Sequence, residues 1–378
     1  MIVPTARQSR KKEVLFVSAG LGLEGGGTAL VGRLLLKVVE VVAKEAGLGI
    51  RVLNLGEVVP FWEGQAKSFS RSQMSLASAI MRSQIGGRVS AVVFDFLGPA
   101  RVQAFLPSLL RKPYLVFIHG VEVWRDLGWQ RRRALQGATV LLSNSGYTQR
   151  RAKEWTPQLP DAVPVGLALE ERPPSGRLEE DVLAQAGEGF VLIVGRMSTV
   201  ERYKGHDSLL QAMQELVRKR PSAKLVVVGG GDDKGRLIAK AESLGLAENT
   251  YFTGFISEQT LAALYRKCSF FVLPSKDEGF GLVYLEAMKW GKACIGAQGG
   301  AVEEIVEDGK TGLLVPYGSP DSLARTMEKL FADGVFRDAL GLSGFRRWQN
   351  RFLFKHFSQK CMPHIRSLLG PSTLSGKH

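Results

Sequence analysis

The chain has 378 residues, 45% of them hydrophobic, and carries 50 Lys and Arg against 36 Asp and Glu, a formal net charge of +14. That apolar content excludes wholesale disorder and fibrous architectures, and the length suits about two domains. No stretch reaches the roughly 18–20 consecutive apolar residues of a membrane-spanning helix. The basic start, Met1 to Lys12, followed by the apolar run Val14–Leu23, superficially resembles a signal peptide. The run continues into Glu24-Gly25-Gly26-Gly27 without a small-x-small cleavage pattern, so a buried first strand is expected instead. Cys268, Cys294 and Cys361 are odd in number and far apart, which fits neither a disulfide framework nor a zinc site. The expectation is a soluble, cytoplasmic protein of a reducing compartment.

Short apolar runs alternate with longer helical segments. In the first half, strands are expected at Glu13–Ala19, Ile50–Asn54, Ala91–Phe94, Tyr114–Ile118 and Thr139–Leu142. Helices are expected near 28–46, 70–85, 99–110, 125–136 and 146–155. Wholly apolar strands separated by helices indicate a parallel sheet covered on both faces. Leu167 to Gly176, charged and holding Pro173-Pro174, reads as a linker. The pattern then repeats, with strands at Phe190–Val194, Lys224–Val228, Tyr251–Phe255, Ser269–Leu273, Ala293–Ile295 and Gly312–Val315. Two such domains would leave a cleft between the carboxyl ends of their sheets, where open α/β folds take ligands. From about Arg346 the chain is basic and aromatic, and its helical tail is expected to pack on the first domain.

Charge is unevenly placed. Residues 1–170 hold 22 Lys and Arg against 12 Asp and Glu, a net +10, and the rest of the chain adds only +4. A basic half suits a polyanionic partner or an anionic membrane surface, although a solvated surface without a partner accounts for the charge equally well.

Among the motifs, Gly20-x-Gly22-x-x-Gly25 follows the first strand in the manner of a dinucleotide fingerprint. The acidic residue that such a site needs after the second strand is missing, since that strand ends at Asn54 with Glu57 three residues on. A flexible loop around Gly26 and Gly27, facing the cleft, is the better reading. Asp308-Gly309-Lys310-Thr311 fails as a phosphate loop because Glu304 stands where glycine is required.

The strongest constellation is Pro274-Ser275-Lys276-Asp277-Glu278-Gly279-Phe280-Gly281-Leu282-Val283-Tyr284-Leu285-Glu286. It places two glutamates around a glycine-rich loop at the start of an apolar helix. A carboxylate among Leu282, Val283 and Leu285 is costly unless hydrogen-bonded, so Glu286 is placed to accept from ligand hydroxyls. The helix start beside Gly279-Phe280-Gly281 offers N–H groups to an anion.

This segment, with Gly299-Gly300, Glu303-Glu304-Ile305-Val306 and Asp308-Gly309-x-Thr311-Gly312, resembles the nucleotide-sugar site of retaining glycosyltransferases of the GT-B fold, family 4 in particular. Gly195-Arg196, Glu201-Arg202-Tyr203-Lys204-Gly205 and Gly229-Gly230-Gly231 match the same family upstream. The resemblance is dense from about 190 to 320 and thinner before it. It implies two Rossmann-like doubly wound parallel-sheet domains facing a central cleft. Residues 1–170 would form the acceptor side, with a C-terminal helix at about 348–370 returning to it, and 171–347 would form the nucleotide-sugar domain.

Carried over, the resemblance implies that Glu286 binds ribose hydroxyls and that Glu278 lies against the donor sugar. Arg196 and Lys204 would hold the diphosphate, with Gly195, Gly229, Gly279, Phe280, Gly281 and Leu282 around them. Ile256, after Gly254-Phe255, would pass beside the base. In the first half, His119 of Ile118-His119-Gly120-Val121-Glu122 would lie near the donor sugar, with Asn144 lining the cleft; this chain has Glu122 where an Asp is frequent. Two cations and a helix N-terminus would stabilise the leaving diphosphate without a metal. The sequence accordingly has no Asp-x-Asp pair, and no cofactor is expected beyond the nucleotide sugar as substrate. The expected reaction moves a hexose to an acceptor hydroxyl with retention, in cell-surface polysaccharide or glycolipid assembly. Lys67, Arg71, Arg82 and Arg131-Arg132-Arg133 suit a lipid-linked or anionic saccharide acceptor and peripheral contact with the inner face of a membrane. No nucleic-acid module is visible. Two alternatives stand beside this reading: a nucleotide-sugar epimerase or NAD-dependent enzyme on a similar plan, and a non-enzymatic membrane- or polyanion-binding protein.

Overall fold

The computed structural model describes residues 11–22, 26–56 and 65–370. Val14–Val17 are wholly buried, which is why that run shows no polar alternation: helices cover both faces of its sheet. The same holds for Val92–Phe94, Leu115–Phe117, Val191–Ile193 and Phe270–Val272.

The first sheet contains β1 (Glu13–Ser18), β2 (Gly49–Asn54), β3 (Gln65–Ser68), β4 (Val89–Phe94), β5 (Tyr114–Ile118), β6 (Val140–Ser143) and β7 (Val163–Pro164). They lie in the order β3-β2-β1-β4-β5-β6-β7, every pair parallel. The second sheet contains β8 (Val191–Val194), β9 (Leu225–Val228), β10 (Thr250–Gly254), β11 (Phe270–Leu273), β12 (Cys294–Ala297) and β13 (Leu313–Val315). Its order is β10-β9-β8-β11-β12-β13, again parallel throughout. In each sheet the winding reverses beside the first strand, between β1 and β4 and between β8 and β11. Ligands of doubly wound sheets bind outside the carboxyl ends of the strands at such a reversal.

The chain divides into two compact units. Residues up to Glu170 and those from Phe354 form one, and Glu171–Leu353 form the other. The crossing lies six residues beyond the expected end of the second domain at 347, because the helix Gly334–Arg351 packs through Gly341 and Gly344 against Gly291 and Met288 of its own unit. The next helix, Phe354–Leu369, buries Phe357, Cys361, Ile365 and Leu369 four residues apart. That stripe lies on the helix Gly26–Glu45, where Arg366 also pairs with Glu45.

The segment read as a linker is tied down at both ends. Leu167, Ala168 and Leu169 are buried, and Glu170 accepts two hydrogen bonds from Arg33. Beyond it, Arg172 and Ser175 both donate to Glu258. Two strands escape the sequence reading. β3 has one apolar residue in four, and β7 is two residues ending in proline, both at sheet edges. The helix expected at 99–110 is instead a short helix, Leu97–Ala100, with 3-10 turns at Arg101–Ala104 and Ser108–Leu110 separated at Pro107.

Candidate functional site

In the second unit three loops leave neighbouring strands of the sheet. Gly195-Arg196-Met197 follows β8, Gly229–Gly231 follows β9, and Pro274–Gly281 follows β11. The first two are fastened to each other: Met197 donates its N–H to Gly230 (2.9 Å), and Gly195 donates to Val228 (3.0 Å). Gly229 has φ +127°, and a Cβ there would stand on the carbonyl oxygen of Gly195. Only glycine fits both demands.

The chain after Met197 forms a 3-10 turn, Thr199–Lys204, and then Gly205 at φ +82°. A Cβ on Gly205 would collide with the carbonyl of Pro274, so this glycine lets the turn lie directly on the β11 loop. Lys276 donates its N–H to Tyr203 at 3.0 Å and closes the same contact. Lys204 is thereby aimed along Gly195 to Glu278, its Nζ 3.1 Å from the carboxylate. The two side chains are 14% and 21% exposed, so the pair is partly screened from water. Arg196 points outward, with 71% of its side chain exposed, and pairs with Glu201 rather than with Glu278. Beneath them His206 opens the helix His206–Lys219, is 6% exposed, and has no partner on Nε2. Burial, with Lys204 next, pushes its imidazole down to about 4.

The helix Leu282–Lys289 starts immediately after Gly281. Glu286 lies in its second turn, half-buried, and accepts a hydrogen bond from the Tyr265 hydroxyl at 2.9 Å. Burial pushes this carboxyl up, and the Tyr265 hydrogen bond opposes the shift. Tyr284 faces the core and donates to the carbonyl of Leu273. Phe280 is a packing residue: it is 3% exposed and sits edge-on to Phe352 with ring centroids 6.2 Å apart. Leu282 and Ile256 are half-buried, and Phe255 beside Ile256 is 81% exposed. Across the strand ends Gly229 donates to Gly254 at 2.9 Å and lies against the carbonyl of Gly195.

In the first unit the loop after β1 is held by Arg33, which donates to the carbonyl of Gly22 at 2.7 Å while gripping Glu170. The helix starts at Gly26, two residues earlier than the glycine run suggests, and Gly26 and Gly27 are exposed. Glu24, Gly25 and Glu57 lie outside the described residues, so the end of the Gly-x-Gly-x-x-Gly string does too.

His119 follows β5. Its Nε2 lies 2.7 Å from the carbonyl of Asp95, which can only accept, so Nε2 carries the proton and Nδ1 is left with a lone pair. The His119 N–H donates to Glu122, and Asn144 Nδ2 donates to the His119 carbonyl. Burial lowers the imidazole's proton affinity, against the pull of Glu122, and keeps the ring neutral. Glu122 thus serves the main chain of the His-Gly turn. Ser145 caps the helix Gly146–Trp155 by accepting from the N–H of Thr148 at 3.0 Å.

Asp95, which sequence reasoning passed over, is fully buried beside this histidine. It accepts from the Ser18 hydroxyl and from the N–H of Ala19 (3.1 Å), and burial raises its carboxyl to about 7. The signal was present: an acid directly after the apolar run Ala91–Phe94, where a sheet's carboxyl end must lie. Tyr265, the partner of Glu286, gave no such signal, since it stands 21 residues away on another helix.

Among the described residues no three His, Cys, Asp or Glu side chains gather in a group that could hold a metal ion. Among those residues, too, no helix is long and apolar enough to cross a membrane.

A family model described as "Glycosyl transferases group 1" matches residues 177–347, the unit that carries Lys204, Glu278 and Glu286. The chain is 31% identical over 270 residues to a GDP-mannose-dependent alpha-(1-6)-phosphatidylinositol monomannoside mannosyltransferase of Mycolicibacterium smegmatis, covering 67% of this chain and 70% of that protein. A protein of the same description from Mycobacterium tuberculosis is 32% identical over 249 residues, 62% of this chain and 64% of its own length. Among solved structures, Anabaena HepE in complex with UDP superposes with a TM-score of 0.73 at 18% identity, covering 94% of this chain and all of that one. Sucrose-phosphate synthase of Thermosynechococcus elongatus also gives 0.73, at 20% identity, covering 94% of this chain and 99% of that one. At those identities the likeness is one of fold.

Proposed function

The chain belongs to the group 1 glycosyl transferases, and on that premise we propose that it is a retaining enzyme of family 4, transferring a hexose from a nucleotide diphosphate sugar to an acceptor hydroxyl. The observation that carries the donor assignment is the half-buried pair Lys204–Glu278 beside the start of the helix that bears Glu286. In this reading Lys204 and Arg196 hold the diphosphate, and the helix N-terminus adds its N–H groups. Glu286 accepts from the ribose hydroxyls, and Glu278 meets the sugar. The base passes along Gly254-Phe255-Ile256, and Gly195, Gly229, Gly279 and Gly281 let the main chain come close.

As the glycosidic bond breaks, negative charge develops on the leaving diphosphate. Cations fixed beforehand stabilise that charge without reorganising. We assign this work to the chain's own cations, with no metal or other cofactor. His119 and Asn144 enter from the resemblance; a neutral His119 would offer Nδ1 as an acceptor to a hydroxyl of the donor sugar.

The relatives named as GDP-mannose-dependent make GDP-mannose the first donor to test, and a lipid-linked, phosphorylated acceptor the first acceptor class. Such a substrate fits the basic first half of the chain and a role in glycolipid or polysaccharide assembly at the cytoplasmic face of a membrane. The test is a thermal-shift panel of GDP-, UDP- and ADP-sugars against their bare diphosphates. Ligand at about 100 times its dissociation constant adds about 2.7 kcal/mol of stability. A shift with one base, lost in Glu286→Ala, supports the reading. A folded protein that responds to none of them sinks it.

A further inference from the structure

Within the first unit, large apolar side chains stand in water around one short segment. Leu109 is 96% exposed, Phe105 56% and Leu110 41%, and Trp129 of the helix Trp129–Gln136 is 58% exposed. Phe105 and Trp129 meet edge to face with ring centroids 5.3 Å apart, and that helix packs on the 3-10 turn Arg101–Ala104. Arg101 also donates to Gln73 at 3.1 Å, which brings the neighbouring Met74, 86% exposed, to the same segment. Isolated exposed apolar residues need no explanation, whereas five gathered around one segment do.

The charges around them are of one sign. Residues 101–133 hold seven Lys or Arg against two acids. Of the acids, Asp126 is taken by Arg132 at 3.0 Å, and Glu122 is buried against the N–H of His119. Arg101 and Arg125 are near enough to Arg131 to disfavour its charge, after the effect of burial. Holding like charges together costs free energy, and an anionic partner relieves it.

We propose that this surface, with Phe105, Leu109 and Trp129 as apolar anchors and Arg101, Arg125 and Arg131 as their cationic rim, docks the protein on an anionic lipid bilayer. Leu109 projects from a tight turn and Trp129 flanks a guanidinium cluster, a combination that suits the headgroup boundary, where apolar tips sink and cations stay at the phosphates. The inference deepens the proposed lipid-linked acceptor, yet its test needs no sugar nucleotide.

The experiment is co-sedimentation of the full chain with phosphatidylcholine vesicles, with and without phosphatidylserine. The wild type is expected to bind the anionic vesicles and to be released by salt. Arg101→Gln/Arg131→Gln should weaken binding by roughly fivefold per arginine, about 1 kcal/mol each. Phe105→Ser/Leu109→Ser should weaken it at least as much, while Leu342→Ser, an exposed apolar residue of the other unit, should change nothing. Thermal shifts with donor should be unaltered in all three, which separates this test from the donor assignment. The inference is overturned if the wild type ignores anionic vesicles, or if the variants bind them like the wild type. It is overturned equally if the apolar variant abolishes a concentration-dependent dimer in sedimentation velocity while vesicle binding persists, because the surface would then belong to a second copy.

Discussion

Replacing Asp95 by Asn should stabilise the protein above neutral pH and do little below pH 5. Asp95 is fully buried, and its carboxyl stands at about 7 against an ordinary value of 3.8. A raised native value means that the folded state holds a proton which the unfolded chain gives up. The associated stability is complete below about pH 4 and is lost as pH rises through 7. The gap of about three pH units, at about 1.4 kcal/mol each, makes the ionised side chain cost about 4 kcal/mol at pH 8 relative to pH 4. Asn keeps the shape, can still accept from the N–H of Ala19, and offers an N–H to the Ser18 oxygen. Because it never ionises, much of that cost should vanish, leaving a gain of about 2–4 kcal/mol at pH 8. Urea unfolding of both proteins at pH 5 and pH 8 measures the difference directly. His119 is held by the main-chain carbonyl of Asp95 and not by its carboxyl, so donor turnover should survive. A variant less stable than wild type by the same amount at both pH values would show that the carboxyl is ionised throughout and held by its hydrogen bonds.

Three further outcomes are expected. Glu286→Ala and Lys204→Ala should each lose the stabilisation by sugar nucleotide while keeping a wild-type circular dichroism spectrum; a retained shift in either would remove that residue from the site. Gly229→Ala should destabilise by roughly 3 kcal/mol or more, because positive φ and a clash with the Gly195 carbonyl combine, and a melting temperature equal to wild type would refute the close approach. His206, pushed down to about 4 by burial, should make the protein lose stability as pH falls from about 6.5 to about 4. That loss amounts to about 3 kcal/mol, and His206→Asn should flatten this part of the stability curve.

What could be read from the sequence follows the physics of each element. Central strands such as Val92–Phe94 and Val191–Ile193 are buried on both faces, so unbroken apolar runs reveal them. β3 spends its side chains at an edge, and Gln65-Ala66-Lys67-Ser68 carries no such signal. The two glutamates were legible because glycine spacing and a helix start surround them, but the pairs they form were not. Lys204 reaches Glu278 only through the stacking of Gly205 on Pro274, and Tyr265 reaches Glu286 only through the packing of two helices. Phe280 shows the converse: its place in a motif suggested a ligand contact, and its side chain packs in the core against Phe352, which the sequence did not reveal.

The pairings of the two glutamates differ in kind. Glu278 faces an ammonium and Glu286 faces a phenol. In the proposed donor site, a lysine already held by a carboxylate has less side-chain freedom to lose when it turns to a diphosphate, and the Glu278 it leaves would be free for hydroxyls of the sugar. A phenol gives Glu286 one hydrogen bond and no charge, which in the proposed site would leave lone pairs on its carboxyl for ribose. Two identical side chains eight residues apart thus have different surroundings, one beside a charged partner and the other beside a neutral hydroxyl. Altering their surroundings, by Tyr265→Lys or by Lys204→Gln, should damage donor binding even with both glutamates in place.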